Sequence, residues 1–255
     1  MKISIIIPTF NHLEDCLKPC CESLIQNTSF DNPNREIEVV VVSNGCTDGT
    51  EEYIESLKFN QISFPQPIGY TKAINEGIKK ATGDYLVLLN NDTIILNWKK
   101  DLWLDFLLQP FLDDSKCGIT GPLKRFSEES KSEFLVFFCV MISRKTFDKL
   151  GYLDECFSPG GGEDIDYCAK AQRNGLKIVK IPNSGDFPIY HKAEKTVNEI
   201  QGWSDIFNRN MNVLRDRYDI NWKLCNNYER AVIGKNDGIP PKETIRYQWA
   251  RKNII

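Results

Sequence analysis

The sequence predicts an α/β fold, a mostly parallel sheet flanked by helices. Three observations predict it. Aliphatic and β-branched runs recur at residues 3–7, 37–42, 62–64 and 85–89. Segments with apolar residues at helical spacing separate them, and strands alternating with helices mean parallel pairing. The runs are also continuous rather than alternating, which marks strands buried on both faces.

The elements follow in order. Residues 3–7 (ISIII) read as a buried strand closed by Pro8. Residues 13–26 read as a helix with Leu17, Cys20, Cys21, Leu24 and Ile25 at helical spacing. Residues 37–42 (IEVVVV) form the second strand and end in the turn Ser43-Asn44-Gly45. Asp48, three residues before Glu51, is an N-terminal capping pattern for a helix through Leu57. A short strand at 62–64, a helix at 70–81 ended by Gly83, and a strand at 85–89 (YLVLL) complete the first half. In the second half, residues 98–108 read as an amphipathic helix and 117–120 as a short strand. Residues 134–143 (FLVFFCVMIS) are the most apolar stretch and suit one central buried strand. Ser143 is placed to cap a helix to Leu150 that Gly151 stops. The run Ser158-Pro159-Gly160-Gly161-Gly162 reads as a flexible loop, and Glu163-Asp164-Ile165-Asp166 opens a helix that Gly175 ends. A strand at 176–181 and a helix at 200–218 follow. Residues 221–255 mix aromatics and cations around Pro240-Pro241 and read as an appendage.

Composition narrows the function. The chain has 255 residues, 41% hydrophobic and 26% charged, which is ordinary globular usage. A net charge of −3 is no footprint for a nucleic-acid binder, so no nucleic-acid partner is expected. With only His12 and His191, a His-rich metal cluster is impossible, and any metal must lean on carboxylates. Nine scattered cysteines with no CxxC pair exclude the usual zinc spacing and argue for thiols in a reducing compartment. No basic leader precedes the first strand, and no apolar run reaches the roughly 18 residues that span a bilayer. A soluble, cytoplasmic protein is expected.

In open parallel sheets, ligands collect beyond the carboxyl ends of the strands. Thr9 and Asn11, Ser43 and Asn44, and Asn90, Asn91 and Asp92 are therefore the residues to examine. A carboxylate at a strand end, between amides, suits a hard divalent cation shared with phosphate; the same residues also suit a turn. Glu163 and Asp164 either complement a helix dipole or supply a general base, and a three-glycine loop in front of them is a poor cap. His191 is either a half-buried ring satisfied by backbone or a metal ligand beside a carboxylate. Lys72, near a helix N-terminus, is either a phosphate contact or a solvated lysine. The glycine signatures of dinucleotide and P-loop sites are absent from the sequence.

In this order, ISIIIPTFNH, VVVVSNGCTDGT, PIGYTKAINEGIKKATGDYLVLLNNDT and GGGEDIDYCAKAQRNGLKIVKIP resemble the family-2 glycosyltransferases, over roughly residues 2–192. The resemblance implies a GT-A fold with a Rossmann-like central sheet. It implies one catalytic domain over 1–220, with a nucleotide-binding half at 1–95 and an acceptor half at 96–220, before the appendage at 221–255. It implies a nucleotide-diphosphate sugar donor bordered by Pro8, Thr9 and Asn11, with Asn44 and Asp48 in the second loop and Gly69, Lys72 and Asn91 as further contacts. Asp92 and His191 fall at the metal positions, for Mn²⁺ or Mg²⁺. Asp164 falls where the base is assigned, and Glu163 beside it would orient the acceptor. The implied activity is hexosyl or deoxyhexosyl transfer with inversion, to a glycan or lipid-linked acceptor. Acceptor selection is expected between Phe126 and Gly162, and the tail offers peripheral membrane contact, a subunit contact or a lead into another domain. Two departures stand out. Ser43 replaces an Asp common at the second strand end, and Asn90 and Asn91 leave Asp92 as the sole acid of its motif. That thinning is what a catalytically silent nucleotide-sugar-binding or scaffolding domain would show.

Overall fold

Continuous apolar runs build the centre of the sheet. The computed structural model describes residues 1–182, 186–192 and 200–218. β1 (Lys2–Thr9), β2 (Glu36–Asn44), β3 (Asn60–Phe64) and β4 (Tyr85–Leu89) pair in parallel, in the order β3-β2-β1-β4. Side chains alternate across a strand, so β1 feeds two cores at once. Ile3, Ile5 and Ile7 pack with α1 (Lys18–Asn27), α2 (Thr50–Ser56) and α4 (Leu102–Asp113), through Leu24, Ile54 and Trp103. Ile6 packs on the other face with Ile74 and Ile78 of α3 (Tyr70–Lys80). Each such side chain contributes about 1.5–3 kcal/mol on burial. Gly77 lets α3 lie against the sheet, since a Cβ there would meet Ile6 Cγ2 at 2.4 Å.

β5 (Thr93–Ile95) leaves the sheet, and β6 (Cys117–Gly121) returns to it. β7 (Lys124–Ser127) and β8 (Ser132–Leu135) make a separate hairpin. β9 (Cys139–Ser143) joins β4 and β6 antiparallel to both, and β10 (Lys177–Lys180) adds an edge parallel to β6. The seven-stranded order is β10-β6-β9-β4-β1-β2-β3, with β9 the reversed strand. α5 (Arg144–Leu150), α6 (Glu163–Arg173) and α7 (Trp203–Tyr218) cover the α3 face. β11 (Ile189–His191) pairs antiparallel with β5 outside the main sheet.

Several expectations need correction. The run at 134–143 is two strands: β8 and β9 flank a crossing at Val136, Phe137 and Phe138. Apolarity marked burial, and Phe137 and Phe138 of the crossing are buried too. The helix expected at 98–108 starts later. Asp101 accepts from Ser29 N at 2.7 Å and pairs with Arg35 at 3.2 Å, with φ at 67°, so α4 begins after it. The first helix opens as a π turn at Leu13–Leu17 before α1. Ser143 caps α5 as expected, accepting from Thr146 N. The expected boundary at 220 and the tail at 221–255 lie outside the described residues. Among the described residues no helix is long and apolar enough to cross a membrane, and the eight described cysteines are free thiols.

Candidate active site

The carboxyl ends of β1, β2 and β4 meet at one edge, where Thr9 and Ser43 are in register. Side chains tie the loops beyond them together. Asn91 Nδ2 donates to Thr9 Oγ1 at 2.9 Å, and Asn44 Oδ1 accepts from Ile68 N at 2.7 Å. The second contact holds the chain entering α3, where Gly69 has φ of 87°. A Cβ at Gly69 would lie 2.2 Å from Ser158 Oγ, so this turn and the glycine loop touch only because the position is glycine. The Tyr70 hydroxyl lies 3.1 Å from Asn90 Oδ1 and 3.1 Å from the Phe137 carbonyl oxygen. Burial, and then the nearby carboxylates of Glu163, Asp164 and Asp92, push its pKa well up, so it stays a neutral donor.

These loops, the crossing before β9, the glycine loop and the start of α7 enclose a cavity of about 430 Å³. Pro8, Thr9, Asn44, Gly69, Asn91, Asp92, Glu163, Asp164 and His191 all line it. The remaining three expected contacts do not. Asn11 Oδ1 accepts from Thr47 N at 2.9 Å, and Asp48 Oδ2 accepts from Leu13 N at 2.9 Å, so both brace the first loop against the second. Lys72 is exposed, because the buried face of α3 is formed by Thr71, Ala73, Ile74 and Asn75. Ser43 is buried and donates to Glu51 Oε1 at 3.0 Å. His12 lies outside the cavity lining, with Nδ1 3.0 Å from Asp15.

Two acidic groups face this space. Asp92 is buried, and its Oδ1 accepts no hydrogen bond, although His191 Nε2 lies 3.2 Å away. Pairing of β11 with β5 sets that distance, because His191 stands opposite Thr93. The His191 ring stacks on Phe138 at 4.5 Å between centroids. An unpartnered carboxylate oxygen beside an imidazole nitrogen is a donor set that fits Mn²⁺ or Mg²⁺.

The second group is Glu163 and Asp164 at the start of α6. Glu163 is buried and its Oε2 is unpartnered. Its pKa is raised by burial first and then by the Asp164 charge. Asp164 is half-buried and raised by burial, with the Ile165 N–H at 2.8 Å among the groups that favour its charged form. The two sit side by side, so their raised pKa values belong to the pair. A carboxylate pair whose pKa values are raised toward neutrality is an arrangement that general-base chemistry can use.

Comparison with known proteins identifies the family and the fold. The family model described as Glycosyl transferase family 2 matches residues 4–135. The chain belongs to that family. Over 219 residues this family-2 glycosyltransferase is 26% identical to the O-antigen biosynthesis protein RfbC of Myxococcus xanthus, covering 70% of the chain and 16% of RfbC. It spans 55% and 33% of two further curated glycosyltransferases. Its fold resembles the mannosyltransferase PcManGT of Pyrobaculum calidifontis in complex with GDP-Man and Mn²⁺. The TM-score is 0.59 at 19% identity, over 96% of this chain and 68% of that one. It also resembles S. aureus TarS 1-349 in complex with UDP-GlcNAc, with TM-score 0.60 at 20% identity, over 84% and 65% of the two chains. The fold is GT-A.

Tyr70, Phe137, Phe138 and Trp203 also line the cavity and are not among the contacts expected from the sequence. Tyr70 follows Gly69 directly, a signal that was available. The two phenylalanines sat inside an apolar run and carried none.

Proposed function

We propose that the chain transfers a hexosyl or deoxyhexosyl group from a nucleotide-diphosphate sugar to an acceptor hydroxyl, with inversion and divalent-metal assistance. One observation carries the reading: Asp92, with a carboxylate oxygen that accepts no hydrogen bond, and the Glu163–Asp164 pair line the same cavity. Asp92 and His191 would hold Mn²⁺ or Mg²⁺, which supplies charge stabilisation to a departing diphosphate. Thr9 and Asn91, bonded to each other, and Asn44, which holds Ile68 N, would receive the nucleoside at the strand ends. Asp164 would take the acceptor's hydroxyl proton as the oxygen bonds to the anomeric carbon and the bond to diphosphate breaks. Glu163, protonated, would donate a hydrogen bond that orients the acceptor. A single displacement of this kind inverts the anomeric centre. The acceptor is a glycan or a lipid-linked sugar, met between the glycine loop, the 136–138 crossing and Trp203.

The test pairs binding with turnover. Thermal shift with UDP-GlcNAc, UDP-glucose and GDP-mannose, with and without Mn²⁺, identifies the donor, and release of nucleoside diphosphate measures its use. Asp164→Asn is expected to lower turnover by about 10²–10⁴-fold with donor binding retained. Normal turnover by that variant removes the base assignment. Metal-dependent binding without turnover by the unmodified protein would instead favour the silent reading, which the amides at Asn90 and Asn91 support.

A further inference from the structure

The glycine loop before the acid pair is held from α7 by a buried amide. Asn210 is fully buried, and its Nδ2 lies 2.9 Å from the Gly160 carbonyl oxygen, 2.7 Å from that of Gly161 and 3.2 Å from that of Phe157. Its Oδ1 accepts from Arg209 at 3.0 Å (Nε) and 2.8 Å (Nη2), and the same Nη2 donates to the Ser158 carbonyl at 2.8 Å. With a longer contact from Arg209 Nη2 to the Cys156 carbonyl at 3.4 Å, two side chains of α7 thus serve five carbonyls between Cys156 and Gly161. A buried carbonyl without a donor costs about 1–3 kcal/mol, so these contacts decide where the loop backbone sits.

The consequence reaches the acids along the chain. The Gly161 carbonyl that Asn210 holds stands one residue before Gly162, the N-cap of α6, whose own carbonyl accepts from Asp166 N at 2.9 Å. Glu163 and Asp164 are the next two residues, so the backbone that Asn210 fixes is the backbone that delivers them. Gly161 and Gly162 have φ of 87° and 106°, a region that leaves the loop no side chain with which to fix itself. Trp203 packs over Gly161, where a Cβ would meet its ring at 3.0 Å. The hydrogen bonds of Asn210 go to this loop and to Arg209, and none goes to the loops after β1 and β2 or to Asp92.

We propose that Asn210 is a positioning residue: by holding the 160–161 peptide, it sets the Glu163 and Asp164 carboxylates against the acceptor. This rests on the reading of Asp164 as base. Asn210→Ala is compared with Leu214→Ala, which removes a buried side chain of the same helix that offers the loop no hydrogen bond. Hydrogen exchange reads the loop, calorimetry reads donor binding, and nucleoside diphosphate release reads kcat. The probe is UDP-GlcNAc or GDP-mannose with Mn²⁺, whichever the unmodified protein uses. In Asn210→Ala, amides 160–166 are expected to exchange faster, kcat to fall about ten- to hundredfold, and donor Kd to stay within about twofold. Leu214→Ala should keep kcat below its melting temperature. Unchanged exchange at 160–166 overturns the proposal, as does faster exchange with unchanged kcat, or an equal kcat loss in Leu214→Ala. If the unmodified protein uses no donor, the enzyme reading fails and the positioning role fails with it. Faster loop exchange in Asn210→Ala would then show that the base, not the clamp, was misread.

Discussion

Asp92→Asn should stabilise the protein without metal and destabilise it, relative to the unmodified chain, with metal. Asp92 Oδ1 is buried without a hydrogen bond, 3.2 Å from His191 Nε2. Leaving a buried acceptor unpaired costs about 1–3 kcal/mol, and more for a charged one. Asparagine keeps the shape, removes the charge, and offers an N–H₂ that can donate to the imidazole. In EDTA the variant is therefore expected to gain about 1–3 kcal/mol. At this chain length that corresponds to about 2–4 °C in Tm for each kcal/mol. Adding Mn²⁺ with a nucleoside diphosphate should reverse the order. A ligand at about 100 times its Kd adds about 2.7 kcal/mol to a protein that binds it, and the variant has lost its charged ligand. Differential scanning fluorimetry of both proteins, in EDTA and in Mn²⁺ with UDP or GDP, reads the crossing directly. If the variant is no more stable in EDTA, the unpaired oxygen is not costly. If it keeps the full Mn²⁺-dependent shift, Asp92 is not the metal ligand. Either result refutes the reasoning.

Glu163→Gln tests the raised carboxyl. Because its folded pKa lies above the ordinary value, the native state binds more protons, and stability falls as pH rises through the folded pKa. The variant should show a flatter urea midpoint between mildly acid and neutral pH and be the more stable protein at the alkaline end; an unchanged slope would put the proton elsewhere. Gly69→Ala sets a Cβ 2.2 Å from Ser158 Oγ at a φ of 87°. A loss of about 1–3 kcal/mol with weaker donor binding is expected by denaturation and calorimetry, and wild-type values would mean the two loops yield easily. Tyr70→Phe removes the hydroxyl between Asn90 and the Phe137 carbonyl. It should cost about 0.5–1.5 kcal/mol, read from the urea midpoint.

How much of this was legible depended on whether a residue's signal was local. Thr9, Asn44, Asn91 and Asp92 sit directly after apolar strand runs, and parallel pairing brings such positions to one edge. The distance between His191 and Asp92 depends on β5 and β11, two three-residue strands too short to carry a pattern. Lys72 was attractive because it stands near a helix N-terminus, yet the rotation of α3 sends it to solvent, and rotation is set by the apolar face alone. Asn11 and Asp48 were found by motif, but their side chains are spent on backbone N–H groups of the facing loop. Asn210 left one readable trace, a polar residue beside Met211 on the buried side of an amphipathic helix.

The reversed strand explains why the two acidic groups share one cavity. A parallel strand beside β4 would bring its carboxyl end to the site edge. β9 runs the other way, with Cys139 opposite Leu89, so the residues entering the strand arrive there instead. Those residues are Phe137 and Phe138. The Phe138 carbonyl accepts from Asn90 N at 2.8 Å, and its ring carries His191, which ties the crossing to the Asp92 side. Phe137 meets Tyr167 of α6 edge-on at 6.4 Å, and its backbone is among the groups favouring the Asp164 charge, which ties the crossing to the base side. β8, just before the crossing, is bonded to the same helix through Leu135 N and Cys168 Sγ at 3.4 Å. The placement of Asp92 and His191 against Glu163 and Asp164 is therefore carried by two adjacent phenylalanines. Each serves it twice, with its backbone and with its ring.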